Sequence, residues 1–267
     1  MTTWPAQRVL QAAADWSWIP DDAQSVESDF RIIRYPQWSG IGVIASRADS
    51  TRDAAALLDA SLDQTRLWGR PSVGWWATDD DRPADLEQTL IRRRATLEDT
   101  VDVLALRLDT LPDLAVPTSV TAEVVTTREQ RLAVDAVDVA VWRQQPLTQE
   151  RLEADLGEGE RDLAARAGFR VLGRVGDGLA AAAGGCTLAA GPEAAAGKVA
   201  RLWGAGTLPD QRGKGAYRAV LAERLRIARE WGATLALVKG RIETSGPILA
   251  RCGFTRYGGE RLYRLHV

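Results

Sequence analysis

Two stretches of this chain follow the same order. A helical pattern ends in Trp-Gly at 68–69 and again at 231–232, and each time an apolar strand, a short helix and further strand follow. The first copy runs from DAAALLDASLDQTRLWG (53–69), with Leu58 and Leu62 one helical turn apart, through SVGWWAT and PADLEQTLIRRR to VDVLALRL. The second runs from GAYRAVLAERLRIAREWG (215–232) through ATLALVK and SGPILARCG to FTRY and ERLYRL. Apolar residues three and four apart mark the helices, and a glycine just past the last turn is where a left-handed cap belongs. A repeat of this kind points to one mixed unit used twice.

The segments upstream of each copy differ. SDFRIIRY and GIGVIASR precede the first as strands. Before the second come a strand at 119–127, helices at about 128–142 and about 148–166, and strands at 168–175, 179–190 and 198–208. Pro112 and Pro117 in DTLPDLAVPTSV (109–120) make that segment a linker, so the expected domains are 1–115 and 119–267. Helices mixed with a run of antiparallel strands give an α+β fold.

The rest of the composition narrows the function classes. A net charge of -2 over 267 residues gives no reason to expect nucleic acid, and the run Arg92, Arg93, Arg94 reads as a solvated helix face. One histidine, His266, and two cysteines, Cys186 and Cys252, argue against a Ser-His-Asp triad, a disulfide framework or a zinc site. No stretch approaches the roughly 18 apolar residues of a membrane helix and MTTWPAQ lacks the marks of a leader, so the expectation is a cytoplasmic protein without metal. Six tryptophans between Trp16 and Trp76 serve either as core packing with the indole N–H bonded or as an aromatic surface.

The stretch TLPDQRGKGAYRAVLAE (207–223) carries the chemistry. Pro209 ends pairing of the strand before it, and Gly204 and Gly206 inside that strand mark a bulge or a close backbone approach. Arg212-Gly213-Lys214-Gly215 then leads directly into a helix. Unpaired N–H groups at a helix start, with glycines that let a ligand approach and two cations beside them, form an anion cradle; the same spacing also fits an ordinary strand-to-helix turn. The P-loop pattern fails because Gly215 follows Lys214, and the dinucleotide fingerprint fails because Arg218 stands where its third glycine belongs.

RGKGAY (212–217), preceded by TLP and followed by an amphipathic helix, resembles the acetyl-CoA diphosphate loop of the GCN5-related N-acetyltransferases (GNAT). SGPILARCGF (245–254) resembles that family's final helix and closing Gly-Phe. The resemblance covers roughly 117–267. It implies a GNAT-like, mainly antiparallel sheet flanked by helices, with two tandem halves if the repeat is a degenerate copy. It also implies acetyl-CoA as cosubstrate and the amine of a small molecule or peptide as acceptor. The diphosphate would be held by Arg212, Gly213, Lys214, Gly215, Ala216 and Tyr217, and the pantetheine arm would pair along Gly206, Thr207 and Leu208. Tyr217 departs from the family's Arg/Gln-x-x-Gly-x-Gly/Ala pattern, in which the last place is small.

Acetyl transfer needs a neutral amine, an oxyanion donor and a proton for the thiolate. A backbone N–H near Thr207 suits the oxyanion. The tyrosine that family members often carry five residues before the closing Phe is Leu249 here, which leaves Ser245 as the nearest hydroxyl and Glu243 as a base. Ser245 also reads as a plain N-cap and Glu243 as a solvated loop acid. Trp142, Arg143 and Trp203 either shape the acceptor site or simply pack. The first half has SRADSTRDAA (46–55) where the cradle should stand, without glycine, and reads as a structural half shaping the substrate cleft. Two other readings remain: a CoA-binding module without catalysis, and a Trp-rich interaction protein.

Overall fold

The computed structural model describes residues 4–192 and 197–267. In chain order the elements are α1 (Ala6–Ala14), β1 (Gln24–Glu27), β2 (Arg31–Arg34), β3 (Val43–Ser46), α2 (Ala54–Leu67), β4 (Ser72–Thr78), α3 (Leu86–Arg92) and β5 (Thr96–Arg107). There follow β6 (Val120–Val124), α4 (Arg128–Trp142), α5 (Gln149–Ala165), β7 (Gly168–Val175), β8 (Leu179–Ala190), β9 (Lys198–Thr207), α6 (Ala216–Glu230), β10 (Ala233–Arg241), α7 (Ser245–Arg251) and β11 (Thr255–His266). The repeat is real at this level: α2–β4–α3–β5 and α6–β10–α7–β11 have one order. Both long helices end on a tryptophan C-cap, Trp68 and Trp231, with Gly69 at φ +64° and Gly232 at φ +89° behind it.

The described residues form two compact units, each discontinuous in sequence. The first comprises Ala13–Leu104, Gly240–Leu249 and Arg256–Val267; the second comprises the described residues up to Ala12, Ala105–Lys239 and Ala250–Thr255. Residues 109–120 lie inside the second unit; the chain changes unit after Ala12, Leu104, Lys239, Leu249 and Thr255, so that its last strand belongs with the earlier unit.

In the first unit the strands run β1-β2-β3-β4-β11-β5. β3 and β4 are parallel, and β11 pairs antiparallel with β4, from Glu260↔Thr78 to His266↔Ser72. The sequence pattern suggested two C-terminal strands; the structure has one, running through Gly258 and Gly259. Its Tyr263 and Leu265 enter the same core as Phe30, Ile32, Leu57, Leu58, Val73 and Trp75. Trp75 is fully buried and its Nε1 donates to Ser61 Oγ at 3.1 Å, which is the packing role; Trp18 and Trp38 are exposed, and Trp18 stacks on Tyr35 and meets Trp38 edge-on.

In the second unit the order is β10-β9-β8-β7-β6, antiparallel except for parallel β9 and β10. Successive residues of a strand point to opposite faces. On one face Leu172 and Ala183 meet Val134 and Val137 of α4. On the other, α6 lies so close that a Cβ on Gly173 would be 2.7 Å from Val220.

Candidate functional site

Parallel β9 and β10 pair from Lys198↔Ala233 to Arg201↔Leu237 and then part, although β9 runs on to Thr207. A bulge bends β9 just past this point. Gly185 of β8 faces Trp203 and Ala183 faces Gly206, so β9 carries one residue more than its partner. Gly204 takes it up at φ +58°, with open space where a Cβ would be. A bulge of this kind raises the local twist and turns the strand aside. Past it, Leu208 N–H donates to Ala181 O at 2.9 Å. Alternation along an antiparallel ladder then turns the N–H and C=O of Thr207 away from β8, toward the gap left by β10. Gly206 has a packing reason of its own: a Cβ there would lie 2.7 Å from Val141 of α4.

The chain leaves β9 through a short 3-10 turn, Pro209–Gln211, and reaches α6 through Gly213 at φ +77° and Gly215 at φ +93°. Gly215 is the N-cap and has no side chain to bond the first turn, so the N–H groups at the start of α6, including those of Ala216 and Tyr217, are without a side-chain cap. Lys214 Nζ donates to Oε1 of buried Gln211 at 2.9 Å, whose amide in turn donates to Asp210. Arg212 is exposed, and among the described residues its guanidinium has no hydrogen-bond or ion-pair partner. A Cβ on Gly215 would stand 2.5 Å from Pro117, so the linker walls this side of the loop; Gly213 faces open space.

The matching place in the first unit is built the opposite way. α2 is capped by Asp53, whose carboxylate accepts from Ala56 N–H at 2.8 Å. The chain's own anion fills the position that the second unit leaves open, in line with the absence of glycine from 46–55.

Comparison with solved structures decides the fold. A GCN5-related N-acetyltransferase from Kribbella flavida superposes at a TM-score of 0.66, with 21% identity, over 97% of this chain and 93% of that one. A GCN5-related N-acetyltransferase from Sphaerobacter thermophilus gives 0.64 with 18% identity over 98% and 85%. A tandem GNAT protein from the clavulanic acid biosynthesis pathway gives 0.58 with 12% identity over 98% and 88%. The fold is that of the GCN5-related N-acetyltransferases. No protein-family model and no curated protein matches the chain.

Within this GNAT fold the other expected residues are placed as follows. Ser245 opens α7 in the first unit, and its Oγ accepts from Arg241 N–H at 2.9 Å, closing the turn between β10 and α7. Glu243 is exposed in that turn, and Leu249 is 1% exposed. Trp142 is exposed, and Arg143 ends α4 in the left-handed region at φ +55°. Among the described residues no cluster of His, Cys, Asp and Glu could hold a metal, and no helix is long and apolar enough to cross a membrane.

Trp203 is the best anchored of the three residues considered for the acceptor. Its Nε1 donates to Thr187 Oγ1 at 2.8 Å and the Arg170 guanidinium lies 5.2 Å from its ring centroid. Arg170 donates to Asp138 of α4 at 2.5 Å, and Arg131 of the same helix pairs with Asp155 of α5. Burial pushes the Asp138 carboxyl up, against the pull of Arg170. Sequence reasoning missed this layer. Its signal was Arg131, Asp135 and Asp138 at four- and three-residue steps on one side of α4.

Proposed function

We propose that the protein is an acetyl-CoA-dependent N-acetyltransferase acting by direct transfer on an amine of a small molecule or peptide. The observation that carries the reading is the parting of β9 from β10 beyond Arg201, next to a bulge and a glycine loop that opens α6 without a side-chain cap. A bound acyl-CoA would supply the activated acetyl group. Arg212, Gly213, Lys214, Gly215, Ala216 and Tyr217 would hold its diphosphate; Gly206, Thr207 and Leu208 would border the arm, with the Thr207 N–H turned to the oxyanion. Ser245 as proton donor and Glu243 as base complete the proposal, and the cytoplasm is the proposed location.

A second reading, CoA binding without turnover, is favoured by Leu249 and by the engagement of the Ser245 hydroxyl with Arg241. Calorimetry with CoA, followed by thiol release from acetyl-CoA across a panel of amines, separates the two. Binding with release is expected; tight binding with no release from any amine would leave the second reading standing. Arg212→Glu and Lys214→Glu are each expected to weaken CoA about tenfold or more with little change in melting temperature. Unaltered affinity in both would remove the loop from the proposal.

A further inference from the structure

The first unit holds a cavity of about 480 Å³ that the proposed reaction leaves unused. Asp22, Arg34, Tyr35, Pro36, Trp68 and Arg70 line it, all of them between Ala13 and Leu104. Tyr35 is buried and donates its hydroxyl to Trp18 O at 2.7 Å, so what it offers the cavity is its ring. Trp68 packs against the core around Trp75, and among the described residues its indole N–H has no partner. The exposed tryptophans frame the site: Trp18 stacks on Tyr35 and meets Trp38 edge-on, and Trp38 Nε1 donates to Asp22 Oδ2 at 2.7 Å.

The charges in this cavity are unmatched. Elsewhere in the unit arginines pair with carboxylates, as Arg31 does with Glu27, Arg93 with Asp59 and Arg264 with Glu98. Among the described residues the Arg34 guanidinium has only the neutral side chain of Gln24, at 3.1 Å, and the Arg70 guanidinium has no partner. Among the same residues Asp22 has no cation within ion-pair distance, and its carboxylate is held by the Trp38 indole. Two guanidiniums and a carboxylate thus border one space without pairing across it.

Charge separates the guests that such a space can take. A simple anion satisfies Arg34 and Arg70 but meets Asp22 as a like charge, and a simple cation meets two guanidiniums. A neutral polyol bonds to all three and neutralises none. A zwitterion matches both signs, since guanidiniums hold a carboxylate through paired N–H donors and a carboxylate holds an ammonium. Tyr35, Pro36 and Trp68 add apolar wall for the rest of the ligand, and the volume falls in the range of small-molecule sites, about 300–1,000 Å³. We infer that this cavity is a binding site for a free α-amino acid with an apolar side chain, its carboxylate on Arg34 and Arg70 and its ammonium on Asp22. The site lies wholly within the first unit and stands or falls independently of the CoA reading.

The test is calorimetry on the full chain with phenylalanine, with phenylalaninamide, which lacks the carboxylate, and with 3-phenylpropanoate, which lacks the ammonium. Saturable binding of phenylalanine is expected, with each analogue weaker by about tenfold or more. Arg70→Gln is expected to weaken phenylalanine about tenfold and the amide less than about twofold. Asp22→Asn, which keeps an acceptor for Trp38, is expected to weaken phenylalanine about tenfold and 3-phenylpropanoate not at all. Near-UV circular dichroism checks the fold, and Arg34→Gln repeats the carboxylate comparison should Arg70→Gln fail to fold. No binding of phenylalanine, analogues that bind as tightly as it does, or variants that weaken all three ligands equally would overturn the inference.

Discussion

The indole of Trp203 occupies the space that a side chain on Gly185 would need: a Cβ there would lie 2.4 Å from the ring. The two residues face each other across β8 and β9, one step before the bulge. Gly185→Ala is therefore expected to lift the ring off Arg170 and Thr187 and to cost about 1–3 kcal/mol. Urea unfolding together with tryptophan fluorescence checks this, and a variant with the stability and emission of wild type would contradict the packing described.

The Arg170–Asp138 pair makes the opposite kind of prediction, in which a double change is milder than a single one. Asp138→Ala leaves a buried guanidinium without its carboxylate and is expected to cost about 3–5 kcal/mol. Adding Arg170→Met removes the stranded charge and should recover a large part of that loss. A four-corner unfolding cycle measures the coupling; strictly additive losses would mean that the pair is not coupled.

Asp81, in the first unit, is 6% exposed and accepts from Thr78 N–H at 2.8 Å. Burial raises its carboxyl to about 6, chiefly by desolvation. The folded chain then keeps a proton that the unfolded chain gives up between about pH 4 and about 6, so this group's contribution is complete below about pH 4 and fades as pH rises through about 6. Asp81→Asn keeps an acceptor for Thr78 and cannot ionise. It is expected to match wild type near pH 4 and to exceed it by up to about 3 kcal/mol at pH 7. A stability difference that does not vary with pH would show that the carboxyl is already ionised across this range.

β11 predicts how a truncation behaves. Deleting 256–267 removes the antiparallel partner of β4 and takes Tyr263 and Leu265 out of the core around Trp75. The first unit is expected to lose its fixed tertiary structure, read as loss of near-UV dichroism and emission from a solvated Trp75. Native spectra from the truncated chain would contradict the observed pairing.

How much of this was legible depended on whether the deciding forces were local. α4 fell at the expected 128–142 because Thr127 and Gln130 cap it reciprocally, and β7 and β8 fell at their expected bounds because Gly176 and Gly178 turn the chain between them. β1 is exposed at all four positions and gives no alternation to read. Gly258-Gly259 looked like a break, yet β11 continues through it, because strand length is set by pairing with neighbours that the sequence cannot name. The loop 212–217 was visible as a motif, whereas the burial of Arg224 against Gly185 O was not. A lone arginine within the apolar face formed by Val220, Leu221 and Ala228 was its only trace.

Pro117 against Gly215 changes the standing of the segment between the halves. Besides that contact, Leu114 O accepts from Arg218 at 3.1 Å, so residues read as a tether hold both the cap of α6 and its first turn. A tether can be lengthened or exchanged at little cost, since closure entropy grows slowly with length. A wall cannot. Transplanting residues 119–267 alone into another protein would leave the glycine loop open on one flank, and the shortest portable version of the cradle has to begin upstream of Leu114.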